Sequence, residues 1–291
     1  MKKVTVFLFV FLFACFQSCD TSKSVSKNLV TGMSTKGDGL SCEDVYLSDG
    51  EQEINRNKFT YGEKVYVNFV NITGFNKEEG NAFPGMRLSV VGQQGDEVMS
   101  IPDLYADYQD GIDISPLLLK ANLTLADPIH SEQEYTLYIY IWDKKGDDTF
   151  NLEMDFEVKH DERIKIDNTG LSYNEIYLFS KESGKVLLED DARFDEHVYL
   201  IFEGLEGFLE EAGEVSIGLA LKVTDAEGEI LIDEMDLIGD STMDPARIKD
   251  QLLPNFIISD QSIAVPVKCE IKVWDKKSDN KISTSVELAL K

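Results

Sequence analysis

The chain has 291 residues and a formal net charge of −26, from 54 acidic and 28 basic side chains. A surface this acidic repels nucleic acid and anionic lipid headgroups, which argues against nucleic acid as a partner. The length suits two domains of ordinary size, and each of them can bury a core without disulfides or metals.

The first predicted segment is an export signal over residues 1–18. Two lysines form a charged start, and the apolar run from Val4 to Ala14 is shorter than the roughly 20 apolar residues that span a bilayer. Phe16-Gln17-Ser18-Cys19 follows and resembles the lipobox of bacterial lipoproteins. The resemblance implies a lipid on Cys19 and a mature chain that is anchored to a membrane without spanning it. An ordinary signal peptide with an incidental cysteine is the alternative.

Residues 19–41 are predicted to be the lipidated N-terminus and a flexible tether, because Ser, Thr, Lys and Gly dominate them without an apolar period. Removal of the leader with its two lysines takes the formal charge from −26 to −28. The sequence resembles lipoproteins of the Bacteroidetes cell envelope. That resemblance implies an outer-membrane location, facing either the periplasm or the cell surface.

The rest of the chain repeats one pattern, predicted as two β-domains over residues 42–160 (copy one) and 161–291 (copy two). Val65-Tyr66-Val67-Asn68-Phe69 matches Val198-Tyr199-Leu200-Ile201-Phe202, which lies 133 residues later. Trp142-Asp143-Lys144-Lys145 matches Trp274-Asp275-Lys276-Lys277 at an offset of 132 residues. Self-similarity at a long fixed period indicates a duplicated structural unit.

Short runs with period two predict seven strands in each copy and little helix. In copy one they lie near residues 43–47, 64–71, 86–92, 96–100, 117–125, 134–142 and 149–158. In copy two they lie near residues 175–179, 197–203, 214–224, 229–233, 253–259, 265–274 and 281–290. The pattern indicates an all-β fold of two tandem antiparallel β-sandwiches, similar to the immunoglobulin-like architecture but without the cysteine pair of antibody domains. Residues 245–251 are predicted to form a short helix that begins at a proline.

Alternate residues of these strands are predicted to form the core. In the sixth strand of copy one they are Leu137, Ile139 and Ile141, and in copy two they are Cys269, Ile271 and Val273. After removal of the leader and lipidation of Cys19, two cysteines remain, Cys42 and Cys269. A bridge between them would require one domain to fold back on the other, so the sequence favours a buried free thiol at Cys269.

The main candidate for a binding site is an aromatic row on the sixth strand of copy one. Tyr138, Tyr140 and Trp142 share one face at a spacing of about 7 Å, on which sugar rings could stack. Tyr66 extends the row if its strand is adjacent. The alternative is that these aromatic side chains pack beneath a loop or against copy two. The recurrence of Trp142 as Trp274 favours a structural role for this tryptophan.

Two further sites are weaker candidates. Asp143, Asp147 and Asp148 surround the turn after the aromatic row and could bind calcium, although a solvated hairpin turn is the alternative. Asp240-Ser241-Thr242 resembles the short O-glycosylation sequon of Bacteroidetes, which implies a glycan on Ser241 in a predicted loop. No metal site beyond these weak candidates is predicted, and no cofactor.

The sequence contains no recognisable catalytic motif. Its three histidines lack partners at metal-ligand spacing, and neither a nucleophile elbow nor a phosphate-binding glycine loop occurs. We therefore expect a non-catalytic, membrane-anchored lipoprotein that acts as a binding or assembly module for an envelope protein or a glycan. Two alternatives remain open: a structural spacer subunit of an envelope complex, and a hydrolase or enzyme inhibitor.

Overall fold

A computed structural model of the chain describes residues 23–188 and 192–291. Within these ranges the fold consists of 22 strands and one short helix. The predicted export signal and the predicted lipid attachment site, Cys19, lie outside the described residues. Among the helices of the described ranges, none is long and apolar enough to cross a membrane.

Copy one is a sandwich of a large and a small sheet, both chiefly antiparallel. From edge to edge, the large sheet contains β1 (Lys23–Lys27), β2 (Ser34–Asp38), β11 (Thr149–Lys159), β10 (Gln133–Asp143), β7 (Pro84–Gly92) and β8 (Glu97–Ile101), with the short β5 (Lys58–Thr60) parallel to β11. The small sheet contains β4 (Glu53–Ile54), β3 (Asp44–Ser48), β6 (Lys64–Val70) and β9 (Leu119–Thr124).

Copy two repeats this arrangement. Its larger sheet contains β12 (Lys165–Thr169), β22 (Lys281–Leu288), β21 (Val267–Asp275), β18 (Ile217–Thr224) and β19 (Ile230–Glu234). Its small sheet contains β14 (Lys185–Val186), β13 (Glu175–Ser180), β15 (Val198–Glu203) and β20 (Asn255–Phe256). A two-stranded ribbon, β16 (Glu210–Glu211) and β17 (Glu214–Val215), and the helix α1 (Pro245–Asp250) lie between these strands in the chain.

The all-β prediction is confirmed, and each predicted strand overlaps an observed one. The short helix is also where the sequence predicts it. Its first turn begins at Pro245, and the Asp244 side chain accepts a hydrogen bond from the backbone N–H of Ala246 as an N-cap.

Each sandwich has its own hydrophobic core. The core of copy one extends along the chain to Val158, and that of copy two begins at Ile164. The predicted inward residues of β10 and β21 are all buried. Among the residues that the structure describes, Cys42 and Cys269 are both free, and Cys269 is buried, as the sequence favours. Burial raises the pKa of the Cys269 thiol to about 12, so this side chain stays protonated in the core.

The structure corrects the predicted tether. Residues 23–38, which the sequence assigns to a flexible segment, contain β1 and β2, and β2 pairs with β11 along its whole length. The flanking residues Met33 and Leu40 are buried in the core of copy one. β2 cannot be predicted from hydrophobic periodicity, because residues 34–38 (STKGD) contain no large apolar side chain. Backbone pairing alone places these residues in the sheet.

Candidate functional site

The aromatic row of β10 lies on the outer face of the large sheet of copy one. The strand alternates between buried aliphatic residues and outward residues, so Tyr138 is 39% exposed and Tyr140 41% exposed, while Trp142 is half-buried. The two tyrosines therefore do not pack beneath a loop, and their rings are open to a ligand.

Polar side chains from the neighbouring strands share this outer face with the row. They are Arg87 and Ser89 on β7, Asn151 and Glu153 on β11, and Lys36 on β2. We call these five residues together with Tyr138, Tyr140 and Trp142 the aromatic face. Within the described parts of the chain, the side chains of Lys36, Asn151 and Glu153 make no hydrogen bond or ion pair. The aromatic face therefore offers rings for stacking beside amide, ammonium and carboxylate groups that are free to bind.

Trp142 has a structural role that the two tyrosines do not share, because its ring covers a glycine on the adjacent strand. A Cβ atom on Gly85, which pairs with Trp142, would lie 2.1 Å from the ring. Gly218 and Trp274 are related in the same way in copy two, at 2.0 Å. The ring of Trp142 also stacks on Tyr140, with centroids 5.7 Å apart. The repeated tryptophan therefore packs the sheet and, in copy one, supports the end of the row.

The residues after each tryptophan make the same contacts in both copies. Asp143 is buried and accepts hydrogen bonds from the backbone N–H groups of Asn76 and Lys145, at 2.7 and 2.9 Å. Lys144 forms an ion pair with Asp103 at 2.8 Å. In copy two the same contacts join Asp275 to Leu209 and Lys277, and Lys276 to Asp236. The Trp-Asp-Lys-Lys motif thus holds a hairpin against two loops, which explains its recurrence without a ligand.

The weak calcium candidates do not assemble into a metal site. Asp143 uses its oxygens for the two backbone donors above and for the side-chain amide of Asn76 at 2.8 Å. Asp147 is exposed, as a solvated hairpin turn requires. Across residues 23–188 and 192–291, no three His, Cys, Asp or Glu side chains are grouped so that they could hold a metal ion.

Tyr66 does not extend the aromatic row. It lies on β6 in the small sheet, whereas β10 belongs to the large sheet, so the condition for its inclusion is not met. Its ring instead receives the ammonium groups of Lys64 and Lys120, 5.3 and 4.5 Å from the ring centroid. Periodicity shows the direction of a side chain but not the sheet to which its strand belongs.

Ser241 lies in the loop between β19 and α1 and is exposed. The structure therefore agrees with the predicted loop position of the sequon. Glycosylation of Ser241 stays a prediction.

The two copies meet at a hydrogen-bonded junction centred on Glu203. The hydroxyl of Tyr61, in copy one, donates to one carboxylate oxygen at 2.9 Å, and Tyr177, in copy two, donates to the other at 2.8 Å. Their rings are 5.3 Å apart, and Gln251 also donates to Glu203 at 2.8 Å. Burial, reinforced by the charge of Glu203, raises the pKa of both tyrosines, so both hydroxyls keep the protons that they donate.

A second contact at the junction buries Glu175 of copy two. Its carboxylate accepts a hydrogen bond from the backbone N–H of Ser131 at 2.8 Å, and the side chain is only 3% exposed. A cleft of about 900 Å³ opens beside it and includes His130, Glu132 and His160 in its lining. The Glu132 carboxylate is already hydrogen-bonded to Nδ1 of His160 at 2.7 Å. Much of the polar lining therefore serves the junction and its surroundings, which makes the cleft a weaker binding candidate than the aromatic face.

Glu175→Gln is expected to stabilise the protein at pH 7 and to flatten its pH dependence. Burial is the main reason that the pKa of Glu175 lies above its ordinary value, and the nearby charge of Glu203 acts in the same direction. A raised acid pKa means that the folded state binds the proton more tightly than the unfolded state. Stability is therefore lost as the pH rises above the ordinary pKa of about 4.5. Urea unfolding between pH 4 and pH 8 measures this slope, and an unchanged slope in the variant would contradict the assignment.

Comparison with known proteins does not assign the chain to a family. No family model and no curated protein matches the chain. Among solved structures, pT26-6p aligns with a TM-score of 0.26 and 7% identity over 89% of this chain, which spans 63% of the length of that one. The three FKBP domains of wheat FKBP73 align with a TM-score of 0.15 and 6% identity, over 78% of this chain and 95% of that one. Neither similarity supports a conclusion about fold or function.

Proposed function

We propose that the chain is a non-catalytic, membrane-anchored binding module of the cell envelope, with a lipid on Cys19, and that its aromatic face contacts a glycan. The observation that carries the proposal is the exposure of Tyr138 and Tyr140 beside Asn151 and Glu153, whose side chains have no partner among residues 23–188 and 192–291. Exposed aromatic rings with polar edges both stack on a sugar ring and hydrogen-bond its hydroxyl groups.

Copy two supports this proposal as an internal contrast. Its equivalent strand carries Glu270 and Lys272 where copy one has the two tyrosines, although the tryptophan and the glycine that it covers on the adjacent strand recur. If the outward aromatic residues served the sandwich fold, both copies would need them. Only copy one has them, which favours a role outside the fold.

Tyr138→Ala combined with Tyr140→Ala is expected to weaken glycan binding by roughly tenfold or more, because two stacking contacts of about 0.5–1.5 kcal/mol each are lost. A glycan array followed by calorimetry on the best ligand measures the change. Glu270→Ala combined with Lys272→Ala is the matched control at the same positions of copy two, and it should leave the affinity unchanged. Equal affinity of the tyrosine variant and the parent would refute the aromatic face as the site.

An envelope protein is the other partner that the sequence allows, and a spacer role in a larger complex is favoured by the junction that docks the two copies. Crosslinking of the lipidated protein in its native cells, followed by mass spectrometry, separates these functions. A reproducible protein neighbour, together with no binding to any glycan on the array, would favour an assembly function over glycan binding. Incorporation of labelled fatty acid that is lost in Cys19→Ser tests the anchor itself.

A further inference from the structure

The hairpin of β1 and β2 concentrates exposed apolar side chains. Leu29 is 88% exposed, Val25 77% and Val30 65%. All three lie within six consecutive residues at the edge of the large sheet of copy one. Exposed apolar residues that cluster in this way mark a contact surface and not ordinary solvated surface.

The tip of this hairpin is held in a fixed conformation. The side-chain oxygen of Asn28 accepts hydrogen bonds from the backbone N–H groups of Val30 and Thr31, at 2.9 and 3.2 Å. The backbone N–H of Asn28 donates to the carbonyl oxygen of Met33 at 2.8 Å. Thr31 and Met33 are buried, whereas Leu29 and Val30 point out. The tip is therefore anchored in the core of copy one while it presents two aliphatic side chains to its surroundings.

The short distance along the chain between Cys19 and β1 indicates which surface these side chains would contact. Only residues 20–22 separate Cys19 from the first residue of β1, so the lipid attachment site lies at most about 14 Å from that strand. A lipid on Cys19 would hold β1 at the surface of the bilayer. The exposed side chains of Lys27 and Lys36 flank Val25, so the hairpin is basic in a chain of charge −26. Aliphatic and basic residues together match the chemistry of a lipid interface.

We propose that the β1–β2 hairpin rests in the bilayer interface with Leu29 and Val30 inserted, so that copy one is held against the membrane by an ordered edge and not by a flexible tether. This inference rests on the proposed lipid on Cys19. Neighbouring strands are about 4.8 Å apart, and β10 is the third strand from β1. The aromatic row then lies about 14 Å from β1, the strand at the membrane surface, and it would meet a glycan close to the lipid headgroups.

The test places a fluorescent reporter at the hairpin of the complete, lipidated protein. Leu29→Trp is reconstituted in phosphatidylcholine vesicles that contain brominated lipid, which quenches tryptophan on contact. Met235→Trp, in copy two, is the matched control, because Met235 is also apolar and 77% exposed. Neither substitution alters a buried side chain, and both variants share the emission of the two native tryptophans.

We expect the added emission of Leu29→Trp to fall by about half or more on brominated vesicles and that of Met235→Trp to stay unchanged. Equal quenching of the two variants on vesicles that retain the protein would overturn the hairpin insertion while leaving the anchor intact. Failure of Cys19 to take up labelled fatty acid would remove the anchor and the inference with it. The two failures are therefore distinguishable.

Discussion

Asp143→Ala is expected to lower the free energy of unfolding by about 2–4 kcal/mol, because it removes the charged acceptor of part-buried hydrogen bonds that hold two segments together. The carboxylate of Asp143 is 1% exposed and is the partner of the backbone N–H groups of Asn76 and Lys145. For a domain of this size the loss corresponds to a fall in Tm of roughly 6–12 °C. Differential scanning calorimetry measures the shift.

Asp147→Ala is the matched control for this prediction, because Asp147 lies in the same turn but is exposed. Its removal should change the unfolding free energy by less than about 0.5 kcal/mol. Asp143→Asn keeps one acceptor oxygen and should fall between the two. If Asp143→Ala and Asp147→Ala unfold at the same temperature, the repeated Trp-Asp-Lys-Lys motif does not have the structural role assigned to it.

The equivalent residue in copy two, Asp275, is expected to make the stability of the fold decrease in acid. Burial alone would raise the pKa of Asp275, but hydrogen bonds from Ser278, Leu209 and Lys277 outweigh it, so the pKa lies below its ordinary value. A depressed acid pKa contributes stability above the ordinary pKa and loses it as the pH falls through the folded value. Copy two should therefore become less stable in acid for a reason opposite to that at Glu175.

Much of the fold could be predicted from the sequence because each strand has one buried face. Alternation predicts Leu137, Ile139 and Ile141 in the core, and the structure buries them together with Cys269 and its neighbours in copy two. β2 could not be predicted in this way, because its pairing with β11 depends on backbone groups that every residue possesses. The true start of copy one therefore lies within the segment predicted as a tether.

The candidate site was predictable only in part, for a related reason. Period two identifies Tyr138 and Tyr140 as outward residues, and the short turn after β10 fixes Asn151 as a neighbour through hairpin register. Arg87 could not be found, because β7 pairs with β10 across forty intervening residues. The same long-range pairing hides the glycine beneath Trp142, so the structural role of that ring becomes visible only in the fold.

Glu203→Ala is expected to release the two copies from each other. The substitution removes the acceptor shared by Tyr61, Tyr177 and Gln251, and three donors at the junction lose their partner. Unpaired donors at a half-buried contact cost about 2–3 kcal/mol in total, enough to shift the docked state towards an open one by more than tenfold. Limited proteolysis should then cut the join between β11 and β12, residues 160–164, and yield two intact sandwiches.

Glu206→Ala is the control that separates loss of docking from loss of charge. Glu206 lies three residues from Glu203 and pairs with Lys249 at 2.8 Å, but both side chains are more than half exposed. Such surface pairs contribute about 0–1 kcal/mol, so this variant should resist cleavage as the parent does. If both variants are cut at the parent rate, the Glu203 carboxylate does not hold the junction, which then depends on the Tyr61 and Tyr177 rings and on the contact between Ser131 and Glu175. Tyr177→Ala would then show how much the ring contact contributes to docking.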